Sequence, residues 1–424
     1  MDSLRINKKG IDSIRIILAI ALVSLLAVSA FEVMNNGHEV KWTFTLGPSG
    51  HTGDYYSTQV ANGTAYVYVF GSTQTVYALG PDGMTKWSIG VESYPVVSPN
   101  GTVYVQKKLA GGEGPSLCAY APNGRLAWSY EVANGTFEQT TITPDGTVYT
   151  DHHLYPGGFT GYGFEFTALS SQGHLLWKQW SPYAPPYVVT DNGTILLANF
   201  DGNLTAYSPN GSVLWMKPLH QFFNSPVMDN GIIYTVDNLD AIDGEYADLC
   251  AIDLNGSLLW RYPGTAVNSN AGLIQCTSNP IIDSNGIIYF VRYNRTGANP
   301  YSSLFAINPN GTLRWEYRDS EIGTPAIHGD MVVFGSSSGL TELDLNGHVL
   351  WKVGGIFDVS YAHPAIGSDG TVYATIITGA NLLNDPGVVA VGENPIVLEI
   401  GALFSLPIIA TCLAILWKAK KGKD

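Results

Sequence analysis

Short apolar runs broken by glycine turns set the rhythm of this chain. In "YPVVSPNGTVYV" (94–105), "QTTITPDGTVYT" (139–150), "NPIIDSNGIIYF" (279–290) and "HPAIGSDGTVYA" (363–374), two β-rich runs flank a polar turn. A second phrase has the same shape: "LCAYAPNGRLAW" (117–128), "LTAYSPNGSVLW" (204–215), "LCAIDLNGSLLW" (249–260) and "LFAINPNGTLRW" (304–315). Such runs joined by an Asn-Gly or Asp-Gly pair predict β-hairpins with two-residue turns. The phrases alternate, so each stretch of 36 to 55 residues predicts one four-stranded sheet, the size of a propeller blade.

The second hairpin carries fixed positions. Glycine stands four residues before Trp87, Trp128, Trp177, Trp215, Trp260, Trp315 and Trp351, and alanine stands nine before each except Trp351, where Glu342 replaces it. Eight first hairpins occur but only seven complete second ones, because the last stops at "GVVAVGENP" (387–395). The missing strand is "GHEVKWTFTL" (37–46), which holds Trp42 without a partner hairpin. Docked beside Val388–Val391 it completes an eighth sheet and shuts the ring, removing the open edges that invite aggregation. The predicted fold is therefore an all-β, eight-bladed β-propeller over 37–395, closed by its N-terminal strand and flanked by two terminal hydrophobic helices.

With Ala, Gly and Trp at these offsets, the phrase resembles the tryptophan-docking repeat of the PQQ-like, quinoprotein-type propellers. The resemblance covers about 37–395 and implies that Trp42, Trp87, Trp128, Trp177, Trp215, Trp260, Trp315 and Trp351 lock blades together. Here the repeat is one residue shorter and uses Asn-Gly where the family has Thr-Gly. Members that are quinone-dependent dehydrogenases place two adjacent cysteines against the cofactor, hold Ca²⁺ and use an Asp base. This chain has no Cys-Cys pair. The resemblance thus points to the non-enzymatic branch, whose lipoprotein-type members serve envelope assembly, with no PQQ expected. The alternative is a PQQ- and calcium-dependent dehydrogenase.

Composition changes the picture chiefly at the two ends. Apolar runs at Ile16–Phe31 and Ile400–Trp417 are flanked by Arg5, Lys8, Lys9 and Arg15, and by Lys418, Lys420, Lys421 and Lys423. These divide the chain into a basic flank (1–15), a signal-anchor or cleaved signal peptide (16–34), the propeller, a transmembrane helix (396–417) and a basic tail (418–424). By the positive-inside rule the basic flanks are cytoplasmic, both of them if the first helix is retained, and the propeller is extracytoplasmic at the cell membrane. Residues 36–395 hold 13 basic against 30 acidic residues, which argues against nucleic acid as a partner.

Chain direction places the short turns and both tethers at one end of the wheel and the long connections at the other, where function usually sits. There the sequence offers aromatic binding candidates: Tyr94, Phe137, Tyr183, Tyr187, Phe222, Phe223, Tyr361 and His363. Asp237, Asp240 and Asp243 crowd one loop and suit Ca²⁺, but without the alternating spacing of an EF-hand loop they fit a solvated acidic loop better. His152 and His153 are adjacent and expected to diverge on an extended loop. "GSSSG" (335–339) matches a nucleophile elbow only on paper, since strands flank it on both sides. Cys250 and Cys276 bracket a long loop and are candidates for a disulfide in an oxidising exterior. Asn134, Asn203 and Asn294 are glycosylation sequons away from the short turns. Taken together, the sequence predicts a membrane-anchored surface module that binds or scaffolds envelope proteins or polysaccharide.

Overall fold

Tyrosine, alanine and tryptophan stand side by side across six of the eight sheets, and this row explains the repeat. Tyr66 pairs with Ala78 and Ala78 with Trp87, which puts all three side chains on one face. Tyr104–Ala119–Trp128, Tyr149–Ala168–Trp177, Tyr234–Ala251–Trp260, Tyr289–Ala306–Trp315 and Tyr373–Ala390–Trp42 repeat the row. In all six the phenol and indole centroids lie 5.7–6.0 Å apart, closing over the alanine methyl. A larger residue at the alanine position would wedge the rings apart.

A computed structural model describes residues 38–393 except 46–54, 71–73, 113, 133–135, 155–162, 182–186, 191–192, 199–202, 219–225, 240–245, 264–273, 277, 295–299, 355–362 and 377–386. The sheets form eight blades: 1 (55–90), 2 (96–131), 3 (136–181), 4 (187–218), 5 (227–262), 6 (274–319), 7 (326–353) and 8. Blade 8 combines Ala365–Ile366, Val372–Ile376 and Gly387–Glu393 with His38–Thr45 from the other end of the chain. Trp42 faces Ala390, and His38 faces Glu393, the last described residue. The wheel is shut by its own two ends, as the strand count requires. Strands are called a to d from the axis outward. First strands of neighbouring blades touch one another, while fourth strands such as Thr85–Gly90 alternate exposed and half-buried residues. In blade 6 strand a is broken into Ile274–Cys276 and Ile281–Ile282, both paired with Ile288–Asn294. The terminal helices expected at 16–34 and 396–417 lie outside the described residues, and no helix among the described residues is long and apolar enough to cross a membrane.

Each indole also reaches the next blade. A Cβ on Gly83 would meet the Trp42 ring at 2.8 Å, one on Gly124 the Trp87 ring at 2.8 Å, and one on Gly173 the Trp128 ring at 2.6 Å. The ring nitrogens of Trp42, Trp87, Trp128 and Trp260 donate to the carbonyls of Pro81, Pro122, Ser171 and Pro309 in those turns, at 2.8–3.0 Å. The turn glycine is thus needed twice, for positive φ and for the approach of an indole to bare backbone. Gly173→Ala should therefore cost about 3 kcal/mol, combining left-handed strain and overpacking. Gly370→Ala, with similar φ but open space around the new methyl, should cost about 1 kcal/mol. Urea denaturation of the two variants checks the difference.

The turns differ from the two-residue type expected. Gly83 N–H bonds Gly80 O and Gly80 N–H bonds Met84 O, a three-residue connection in which only the glycine has positive φ. The same pair of bonds recurs at 98–102, 121–125, 143–147, 208–212 and 308–312. This is a type I turn followed by a glycine bulge. Proline two residues before the glycine fixes the type I geometry, and the extra residue shifts the register next to the alanine. Among the described residues, only at Asn62-Gly63 and Asn230-Gly231 do both central residues of a two-residue turn have positive φ. The long connections also shrink. Strands Val148–Leu154, Ile232–Leu239, Tyr246–Asp253 and Ile288–Asn294 run on through polar residues that the apolar pattern assigns to loops.

Candidate functional site

At the end of the wheel away from the short turns, blades 2 and 3 part to leave a hollow of about 470 Å³. Its size is that of an ordinary ligand pocket. The 92–96 connection forms one wall, strand b of blade 2 the back, and strand a of blade 3 the other wall, bringing together Glu92, Tyr94, Gln106, Phe137 and Gln139. Tyr94 stands on the rim, 59% exposed, with its ring 4.6 Å from that of Tyr68. Tyr68 is itself anchored by its hydroxyl, which donates to Gln74 Oε1 at 2.8 Å, and burial, followed by the nearby Tyr94, pushes its pKa up to about 12.

The polar groups of the hollow are held in place. Gln106 donates its backbone N–H to Ser93 Oγ at 2.9 Å and its side-chain amide to Phe137 O. Gln139 N–H donates to the buried Asp151 carboxylate at 2.9 Å. Glu92 accepts from Lys108 N–H at 3.2 Å. An aromatic rim above fixed amides and a carboxylate can grip a partner side chain, one face apolar and the other hydrogen-bonding.

Among the aromatic candidates, the hollow unites Tyr94 and Phe137, but Phe137 is buried and forms the floor instead of an outward contact. His363 is exposed. Tyr187 begins strand a of blade 4, with its side chain outside the described residues, as are Tyr183, Phe222, Phe223 and Tyr361 altogether. Gln106, Gln139 and Glu92 carried no sequence signal, because nothing local says which connection faces the neighbouring blade.

His152 and His153 lie in strand b of blade 3, not on a loop, and alternation sends them to opposite faces. His152 sits 3.4 Å from Glu165 and against Phe137, while His153 stacks on Phe164 at 4.7 Å. Burial lowers the pKa of His152 against the pull of Glu165. Asp237 is in a strand, paired with Asp248, whose carboxylate meets Arg261 at 3.0 Å; Asp240 and Asp243 lie outside the described residues. Cys250 is buried in strand c of blade 5, and Cys276 is in strand a of blade 6, with its side chain outside the described residues. Asn203 opens strand c of blade 4, Asn294 Nδ2 donates to the Tyr301 hydroxyl at 2.9 Å, and Asn134 lies outside the described residues.

The "GSSSG" stretch is the b–c turn of blade 7, with strands on both sides. Ser338 Oγ donates to Asp319 Oδ2 at 2.6 Å and accepts from Lys352 Nζ at 2.7 Å, and Lys352 also meets Asp319 at 3.1 Å. Burial works to raise the Asp319 pKa, but the bonds from Ser338, Ser320 N–H and Lys352 outweigh it and hold the carboxyl low. The network fastens the end of blade 6 to blade 7.

Glu342, the exception in the repeat, is buried at the seam between blades 7 and 8. Val333 replaces the row's tyrosine there, and the carboxylate occupies the vacated room beside Trp351. Blade 8 has no covalent c–d turn, so the Trp351 nitrogen meets no turn carbonyl and finds no hydrogen-bond partner among the described residues. His38 stacks on that indole at 4.7 Å instead. Burial, moderated by the Trp351 indole and reinforced by Glu393, pushes the Glu342 pKa up to about 7.

Quinone chemistry in this kind of propeller needs adjacent cysteines and calcium-holding carboxylates. Cys118 and Cys250 are buried in separate blades, and no three His, Cys, Asp or Glu converge to hold a metal among the described residues. The described residues therefore do not fit that group.

A family model described as outer membrane protein assembly factor BamB matches residues 164–318 and 239–353. Similar curated proteins are the outer membrane protein assembly factors BamB of Yersinia pestis and Moranella endobia. The first is 25% identical over 47% of this chain and 53% of its own length, so the chain spans about half of that relative. The second is 24% identical over 70% of this chain and 77% of its own. Among solved structures, BamB from Moraxella catarrhalis superposes with TM-score 0.53 at 13% identity, covering 83% of this chain and 99% of that one. Saccharomyces cerevisiae Sqt1 does so with TM-score 0.54 at 12% identity, covering 83% and 98%. These likenesses carry the fold. Docking rows in the blades, closure by the first strand and the repeat match over 164–353 together support a PQQ-like propeller repeat.

Proposed function

We propose that this protein is a membrane-anchored, extracytoplasmic scaffold that binds envelope proteins through the open end of the wheel, without catalysis. The observation that carries the reading is the hollow between blades 2 and 3. It combines an exposed aromatic ring with amides already fixed by backbone bonds, so little ordering cost falls on a partner that enters it. The assembly-factor names of the relatives support a protein as the partner. The acidic balance of 36–395 favours a partner with a basic surface, recruited faster at low salt. Both described chain ends leave from the short-turn end of blade 8, so anchoring through 16–34 and 396–417 turns the hollow away from the bilayer.

A photo-crosslinking amino acid at position 94 of the full chain, irradiated on intact cells, tests this. Discrete protein adducts are expected at 94 and none at 313, near the short turns. Tyr94→Ala should weaken binding of the captured partner roughly tenfold or more while leaving thermal unfolding unchanged, because the ring is mostly solvated. Adducts at neither position, or equal adducts at both, would remove the case for this face.

A further inference from the structure

The two residues before each docking tryptophan point outward from strand d, next to the c–d turn, and in blades 3, 4 and 5 all of them are apolar. Leu175, Leu176, Val213, Leu214, Leu258 and Leu259 are 48–56% exposed, and Met216 and Leu254 extend the arc. The same positions are apolar in blades 2 (Leu126, Ala127) and 7 (Val349, Leu350), but the adjoining turns there carry Arg125 or meet Arg314, and blades 1, 6 and 8 carry Lys86, Arg314 and Lys41 themselves. The c–d turns of the arc (170–174, 208–212, 253–257) contain no lysine or arginine and one carboxylate, Asp253. A contiguous apolar arc of this kind is unusual on the surface of a soluble domain and marks an interaction surface.

Topology says which way the arc faces. In blade 8 the c–d turn is replaced by the two chain ends, with His38 opposite Glu393. The c–d turns of all other blades, and the apolar pairs beside them, therefore lie at the end of the wheel from which both ends depart. Six residues (32–37 and 394–399) separate each end from the apolar runs Ile16–Phe31 and Ile400–Trp417. Six residues reach about 20 Å at full extension. Blade 4, the centre of the arc, stands diametrically across the ring from blade 8.

We infer that the lower rim of blades 3–5 rests on the lipid bilayer, its leucines inserted at the interface, so that the wheel is held at two opposite points: by its tethers at blade 8 and by this arc. The inference rests on the membrane attachment put forward above. Apolar insertion with a single lysine at the arc, Lys217 along the 253–257 turn, makes the contact nearly independent of salt and of anionic lipid.

The full chain in proteoliposomes of phosphatidylcholine brominated on its acyl chains provides the test. An environment-sensitive fluorescent amino acid replaces, one at a time, Leu176, Leu214, Leu259, Tyr94 and Ile409. Quenching by roughly twofold or more is expected at 176, 214, 259 and 409 and none at 94, unchanged between low and high salt. The variant Leu176→Glu/Leu259→Glu should abolish quenching at 214 while leaving 409 quenched. Quenching at 409 alone overturns the inference and leaves the tether reading standing. Loss at 409 as well overturns both. A blue shift at 214 without quenching marks a protein neighbour, whether a second copy or the chain's own apolar run, and also overturns it.

Discussion

Trp42→Ala should destabilise the propeller more than Trp128→Ala, although the two indoles make the same contacts. Each ring packs over a turn glycine of the next blade, donates to a turn carbonyl at 2.8–3.0 Å and leans on a tyrosine of its own sheet. Truncating either removes these contacts at about 3–5 kcal/mol. In blade 2 the strand that carries Trp128 stays tied to strand c by the Ala121–Arg125 turn. In blade 8 no turn joins His38–Thr45 to Gly387–Glu393, so the closure is held by strand pairing, the Trp42 contacts, the His38 stack on Trp351, the Phe44–Tyr77 contact and the Lys41 bond to Thr371. Losing the indole lets that strand detach before the rest unfolds. Urea denaturation should give the larger loss for Trp42→Ala, and trypsin should cut at Lys41 under native conditions in that variant only. Equal losses and no native-state cleavage would mean that the closure is held some other way.

Glu342→Gln should stabilise the wheel above neutral pH and do little in acid. The carboxyl is buried, and its folded pKa of about 7 lies above the ordinary 4.5. Between these values the folded state keeps a proton that the unfolded chain releases. The neutral form's advantage is therefore whole below about pH 4.5, declines as pH rises, and is gone above about 7. The difference corresponds to roughly 3 kcal/mol, the cost of holding a carboxylate in that seam. The groups facing it are the Trp351 indole, on which His38 stacks, and Glu393, whose charge adds to the cost. Gln keeps the shape and removes the charge. Thermal unfolding from pH 5 to 8.5 should fall for the natural chain and stay nearly flat for the variant across that window. Parallel curves would show that Glu342 does not titrate there.

What could be read from the sequence was local. Alanine, glycine and tryptophan at fixed offsets, and the stray Trp42 strand, gave eight blades and their closure, because hairpins are made by neighbours in the chain. The tyrosine of the row escaped notice, since its pairing with alanine appears only once strands b and c are in register. Strands such as Val148–Leu154, with Asp151, His152 and His153, were read as loops because polar residues inside a propeller have partners that local pattern does not show. Glu342 was visible as an anomaly, but its meaning required Val333, nine residues earlier and on another strand. The hollow was the least legible: it is built by a connection of one blade and the first strand of the next.

The open seam in blade 8 also sets the order of assembly during synthesis. The first strand of the wheel to leave the ribosome, His38–Thr45, waits for the last, Gly387–Glu393, before it has a partner. At ordinary elongation rates that wait lasts on the order of half a minute, with an aromatic edge on offer to any neighbouring chain. Glu39 and Lys41, exposed and opposite in charge, alternate with Val40 and Trp42 along that strand and act as gatekeepers for the interval.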